Sequence, residues 1–382
     1  MLFASGLLPS WSGAEPSELA CGQEPGNRFS WIERAFCDLP VTGPDRASGI
    51  VIWNHGISGN TQSWKAPAPP VMRLLQARGW DVVMVKRHHQ AEANDPLYRT
   101  VQRTLEEAAA SRKAGYRKVV LAGQSFGGWV TLDAVDTSRD IDAAVAFAPG
   151  ARPRGASGRL DASITDRILQ TAKMGRLALL FPKNDAVFNY TVRGESAQAI
   201  LAKRAIPYLL LDETSGFSGH GAGASGRFTL RYGLCLADFL AAPSLPAGRF
   251  TCPAAGEGDN WPLVRELLFP PPAQRPSFVG VGSSWPEPVN ALTGLRWAML
   301  EDTIVLVAPV EEGPGRLRLM YRSTGFGAGV FDAAVKDGVI RAVLSNGSKV
   351  ILKPEGEGRI TWTSSDGSRS VEGTLARWRD DP

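Results

Sequence analysis

Ser125 stands in Gly123-Gln124-Ser125-Phe126-Gly127, between the apolar run Lys118-Val119-Val120-Leu121-Ala122 and the segment Trp129-Val130-Thr131-Leu132. The first run reads as a buried strand and the second as a helix, so the serine falls on a strand-to-helix turn. A turn this sharp holds its central residue in strained backbone geometry, and the flanking glycines let strand and helix approach closely. The hydroxyl then projects at the carboxyl edge of a sheet, beside a helix N-terminus. That is the setting of an activated nucleophile. A serine hydroxyl is a weak nucleophile at neutral pH, so it needs a base within hydrogen-bond reach and a group behind the base to orient it.

Histidine is the usual base, and the chain holds four. His55 belongs to a His-Gly turn after an early strand, and His88 and His89 follow the next one. Only His220, in Ser218-Gly219-His220-Gly221-Ala222-Gly223, comes after the serine, a few residues beyond the last parallel strand. His220 is therefore the candidate base, unless it merely caps the next helix. The orienting carboxylate should leave a strand between the two. Asp185 follows the apolar run Leu177-Ala178-Leu179-Leu180-Phe181, and its loop aims naturally at His220. Asp212, at the end of the next strand, is the rival, and Asp185 could instead serve an Asx-type turn or a helix cap.

The elements that must hold these groups alternate. Strands are expected at 49–54, 81–86, 118–122, 141–150, 177–181 and 208–211, with helices near 69–78, 97–114, 162–173, 194–205 and 226–241. Such alternation implies a right-handed parallel β/α sheet. Residues 151–175 break the rhythm and either cover the carboxyl edge or form a plain surface connection. The scheme is an N-terminal leader remnant and extension (1–44), a catalytic α/β domain (45–242), a Pro/Gly-rich linker (243–277) and a small antiparallel β-barrel or sandwich (278–382). In the last part Asp337-Gly338, Asn346-Gly347 and Asp366-Gly367 are hairpin signals. Its Trp285, Trp297, Trp362 and Trp378 either fill the core or, if exposed, grip a sugar or polymer surface.

At 382 residues and 43% hydrophobic content the chain can bury two cores. A net charge of +4, with scattered basic residues, gives no reason to expect a nucleic-acid partner. No run approaches eighteen apolar residues, so no membrane span is expected. The four cysteines fall into local pairs, Cys21 with Cys37 and Cys235 with Cys252, too widely spaced for zinc. Two disulfides in an exported protein fit that pattern, and four buried thiols are the alternative. Residues 1–15 are apolar and then small, like a signal peptide lacking its basic start, which agrees with a secreted or periplasmic location, or else they form a floppy tail. No metal or cofactor is expected, and the oligomeric state is not legible.

The order Ser125, Asp185, His220, the Gly-Gln-Ser-Phe-Gly elbow and the upstream His55-Gly56 turn resemble the α/β-hydrolase superfamily over residues 45–242. Within it the compact sheet is similar to the dienelactone hydrolase and esterase/lipase-like branches, with serine in place of the cysteine of dienelactone hydrolases proper. The resemblance implies an oxyanion hole formed by the backbone N–H of Phe126 and, from the loop after the His-Gly strand, of Ile57. That loop reads His-Gly-Ile-Ser-Gly rather than His-Gly-Gly-Gly. Ser58 and Trp64 become candidate substrate contacts; Trp129 is a further candidate wall, with helix core the favoured reading for it. The implied activity is carboxylic-ester hydrolysis through an acyl-enzyme, on a small-molecule or polymeric ester. Amide hydrolysis, acyl transfer and an inert binding fold are the other readings.

Overall fold

The computed structural model describes residues 32–36, 39–56, 68–86, 96–150, 162–185, 187, 193–225, 228–253, 296–300, 303–307, 311–313, 316–323, 327–343, 349–356, 359–365 and 370–376. The chain opens with β1 (Ile32–Arg34), β2 (Ile50–Asn54), α1 (Pro70–Ala77) and β3 (Asp81–Val85). It continues through α2 (Pro96–Lys113), β4 (Val119–Gln124), α3 (Phe126–Thr137), β5 (Ala143–Phe147) and α4 (Ala162–Thr171). Then come β6 (Arg176–Leu180), α5 (Arg193–Leu201), β7 (Pro207–Leu211), α6 (Leu234–Ala241) and β8 (Gly248–Arg249). These eight strands form one sheet in the order β1-β3-β2-β4-β5-β6-β7-β8. Only β1 runs antiparallel, against β3.

Both faces of this sheet are covered, which is why its strands read as unbroken apolar runs. Successive residues serve opposite cores. Val51 and Trp53 of β2 pack with α1 and α6, while Ile50 and Ile52 pack with α2, α3, α4 and α5. The sheet also takes strands from both flanks of the expected catalytic segment. β1 comes from the N-terminal extension, and β8 comes from the stretch read as linker and pairs with β7 through Pro207 and Tyr208. Helix 226–241 is only partly α-helical: Thr229–Gly233 is wound as a π-helical turn ahead of α6. Cys235 of α6 is bonded to Cys252, just past β8, with Cα atoms 5.7 Å apart, so the strap after α6 is fastened back to it. The pair Cys21 and Cys37 lies outside the described residues.

At the amino edge of the sheet a buried carboxylate gathers its surroundings. Asp81 accepts hydrogen bonds from Thr42 N (2.7 Å), Gly43 N (2.8 Å), Thr42 Oγ1 (3.2 Å) and the Tyr116 hydroxyl (2.7 Å). Nearby, Lys118 Nζ donates to the carbonyls of Leu240, Ala241 and Ala242, capping the C-terminal end of α6 with a cation as its dipole favours.

The remaining strands are β9 (Arg296–Leu300), β10 (Thr303–Val307), β11 (Glu311–Gly313), β12 (Arg316–Ser323), β13 (Gly327–Lys336), β14 (Val339–Val343), β15 (Lys349–Gly356), β16 (Arg359–Ser365) and β17 (Ser370–Ala376). β11 to β17 form a seven-stranded antiparallel meander, and β9 pairs with β10 as a hairpin. β10 lies beside β12 and β9 beside β17, so the hairpin spans the two ends of the meander as in a barrel wall. Asp337 and Gly338 join β13 to β14 with φ of 55° and 72°, the positive values a tight hairpin turn requires. The other two hairpin signals lie outside the described residues. Trp362 of β16 is in register with Leu352 of β15, which is fully buried. Trp285 and Trp378 lie outside the described residues. Among the described residues no helix is long and apolar enough to cross a membrane.

Candidate active site

The elbow is as tight as its glycines require. Ser125 sits between β4 and α3 with φ 57° and ψ −123°, a conformation an L-residue adopts at a cost of about 1–3 kcal/mol. A β-carbon on Gly127 would lie 1.9 Å from the Asn54 carbonyl oxygen, and one on Gly123 would lie 2.2 Å from the Gly127 oxygen. No side chain fits at either place. The end of β5 clasps the turn: Ser125 N donates to Phe147 O (2.9 Å), and Gly150 N donates to Ser125 O (3.1 Å). Phe126 is the first residue of α3, so its backbone N–H belongs to the positively polarised end of that helix.

Asp185 lies beyond the end of β6 and His220 beyond the end of β7, two strands that are parallel neighbours. Their loops are stitched together at Lys183 and Ser218. Lys183 N donates to Phe217 O (2.9 Å), and Gly219 N donates to Lys183 O (2.8 Å). Asn184 takes the left-handed conformation with φ 54°, which turns the chain directly ahead of Asp185. Asp185 is 1% exposed; its Oδ1 accepts Val187 N (3.0 Å). His220 Nδ1 lies 2.9 Å from Asp185 Oδ2 and 3.1 Å from Oδ1, and its side chain is 20% exposed. A carboxylate accepts, so in the neutral ring the proton sits on Nδ1 and Nε2 is the basic nitrogen.

Asp212 is engaged elsewhere. Its Oδ1 accepts Thr214 N (2.9 Å) and Thr214 Oγ1 (2.5 Å), and its Oδ2 meets Arg249 Nη2 of β8 (3.3 Å). Burial pushes this carboxyl up, but the two Thr214 bonds and Arg249 outweigh it and leave it below its ordinary value. It caps a turn and ties the sheet edge.

Two further residues close in on Ser125. Gly56, which follows β2, comes so near that a β-carbon there would lie 3.3 Å from Ser125 Cβ. His55 is buried and bonds within its own turn, Nδ1–H to Gly56 O at 2.8 Å. Gln124, a side chain that sequence reasoning passed over, donates from Nε2 to His220 O (3.1 Å). Its Oε1 lies 3.6 Å from where a Gly56 β-carbon would stand. The residue before the serine thus reaches both the β2 turn and the histidine loop. It occupies a variable position of the motif, and nothing in its type marks it out. Ile57, Ser58 and Trp64 lie outside the described residues, as does most of the 151–175 segment. Trp129 is buried in the core between the sheet and α3, and so is no pocket wall.

The fold, with a serine elbow after β4 and a paired aspartate and histidine after β6 and β7, is that of an α/β hydrolase. Residues 50–215 match the model of the alpha/beta hydrolase family, so this part of the chain is similar to that superfamily. The comparison with curated proteins gives no significant match. Solved structures similar to the chain include an acetyl ester-xyloside bifunctional hydrolase from Caldicellulosiruptor lactoaceticus, at 16% identity and TM-score 0.41, covering 62% of this chain and 97% of that one. A puromycin-hydrolyzing peptidase from Mycobacterium tuberculosis is similar at 17% identity and TM-score 0.42 over 55% of this chain. The chain spans only 37% of that peptidase's length. An esterase from Pyrococcus furiosus is similar at 14% identity and TM-score 0.38, covering 52% of this chain and 82% of its own.

Proposed function

We propose that the protein is a serine hydrolase that cleaves carboxylic esters through an acyl-enzyme, with Ser125 as nucleophile, His220 as base and Asp185 as orienter. The observation that carries the reading is the His220–Asp185 hydrogen bond, held against the serine elbow by the Gln124 contact with His220 O. His220 Nε2 takes the Ser125 proton as the oxygen attacks the ester carbonyl. Asp185 fixes the imidazole tautomer and stabilises the imidazolium that forms. The N–H groups of Phe126 and Ile57 hold the oxyanion, each contributing about 3–4 kcal/mol to the transition state. His220 then returns the proton to the leaving alcohol and activates water to release the acid. The Cys235–Cys252 bond supports a secreted or periplasmic protein, since disulfides persist in oxidising compartments.

A fluorophosphonate should label the wild-type chain covalently, and Ser125→Ala should abolish labelling while melting at the same temperature. Absence of labelling in folded wild-type protein would show the fold to be inert and overturn the reading. A chain-length series of p-nitrophenyl esters beside matched anilides separates esterase from amidase, with turnover expected on the esters.

A further inference from the structure

His220 is carried on a loop with little stiffness of its own. Residues 212–220 lead from the end of β7 to the imidazole, and Gly216 and Gly219 among them take left-handed conformations, with φ of 86° and 85°. A chain turned twice on glycine stays mobile unless something outside it holds it. The end nearer His220 is held by the Lys183 backbone bonds and by Gln124. The end nearer β7 is held from outside the catalytic strands.

Two side chains reach it, from different elements. Arg249 of β8 donates from Nη2 to Leu210 O (3.0 Å) and meets Asp212 Oδ2 (3.3 Å), so one guanidinium nitrogen spans the point where strand becomes loop. Tyr232, in the π-helical turn ahead of α6, donates its hydroxyl to Ser215 O (3.3 Å). Its ring packs on buried Phe217, with centroids 5.6 Å apart. Such π turns are uncommon and frequently stand at functional sites. The two side chains converge on the outer flank of the loop, where they line one surface cavity of about 200 Å³ with Ser215 and Cys252. The Cys235–Cys252 bond joins the elements that carry them, since Cys235 lies about one turn beyond Tyr232 and Cys252 just past Arg249. Phe250 on Phe239 of α6, with centroids 5.2 Å apart, closes the same seam.

Stability alone gives these contacts little purpose. The Arg249 side chain is 42% exposed, and an open ion pair of that kind adds little to folding. β8 has only two residues and gives the sheet few ladder bonds. What the contacts do fix is the path of the chain toward His220.

We infer that Arg249 and Tyr232 are positioning residues for His220, a role that rests on the ester-hydrolase reading above, and that the Cys235–Cys252 bond keeps the two at a fixed separation. Neither touches the reacting atoms. A base that wanders slows proton transfer and leaves substrate binding almost untouched, so the loss falls on kcat.

Steady-state kinetics of the full chain on a p-nitrophenyl ester, beside amide hydrogen exchange, test this. Arg249→Met keeps the stem and removes the donors, and kcat should fall about fivefold with KM within about twofold of wild type. Tyr232→Phe should lower kcat about twofold. Arg249→Lys, whose ammonium can still donate to both oxygens, should recover to within about twofold of wild type. Cys235→Ser with Cys252→Ser should match the loss of Arg249→Met. In each impaired variant amide exchange across 213–220 should quicken while exchange across β4 to β6 holds. A fluorophosphonate should label every variant to completion, only more slowly. Wild-type protein that fails to label would remove the reading on which this role rests. Normal wild-type labelling with unchanged kcat in the Arg249→Met, Tyr232→Phe double variant would overturn the positioning role alone. So would a loss carried by KM, or one accompanied by faster exchange throughout the sheet.

Discussion

The two edges of the parallel sheet each bury an aspartate, and the chain uses them in opposite ways. Asp81, at the amino edge, is surrounded by four donors from Thr42, Gly43 and Tyr116. None of these changes charge near neutral pH. The Tyr116 hydroxyl is itself pushed far above its ordinary range, first by burial and then by the hydrogen bond and charge of Asp81. Asp185, at the carboxyl edge, is just as deeply buried, yet it holds an imidazole whose ring is one-fifth exposed. Burial and hydrogen bonding alone do not mark a reactive carboxylate. What separates the two is the partner: Asp185 holds an imidazole, a ring that can both accept and donate a proton, and that ring reaches the surface.

The contrast can be broken experimentally. Asp185→Asn should lower ester turnover by about 10³–10⁴-fold, because the amide no longer fixes the ring tautomer or stabilises its charged form. Turnover within tenfold of wild type on a p-nitrophenyl ester would remove Asp185 from the chemistry. Asp81→Asn should act on folding instead, lowering unfolding free energy by about 3 kcal/mol in urea titration as buried donors lose their acceptor. Turnover per labelled Ser125 should stay within about twofold. A collapse of turnover in the folded variant would mean that the amino edge reaches the site. Gln124→Met keeps the side-chain length and removes the donor to His220 O, and kcat should fall about tenfold with KM nearly unchanged, the mark of lost positioning. Unchanged kcat would make that contact incidental.

Much of this contrast was legible in the residues themselves. Strands buried on both faces announce themselves as apolar runs, so the elbow at Ser125 and the alternation of strands and helices around it could be read directly. The chain offers so few histidines that His220 followed by position. The choice between Asp185 and Asp212 rested on less, because the decisive contacts are non-local. Asp212 is occupied partly by Arg249, 37 residues further on, in a two-residue strand too short to carry any periodicity. β1, with three residues, is hidden for the same reason. Gln124 shows the remaining gap: a neutral side chain in a variable place gains meaning only from the loops folded around it.

The crowding at the elbow has an evolutionary corollary. Gly123 and Gly127 are demanded by backbone that would be there whether or not anything reacted, since the Asn54 carbonyl and the α3 backbone leave no room for a β-carbon. A descendant that lost the proposed activity could shed Ser125, His220 or Asp185 and still keep both glycines to remain folded. In a lineage of such chains the glycines record ancestry. The serine, histidine and aspartate record whether selection on the reaction is still in force.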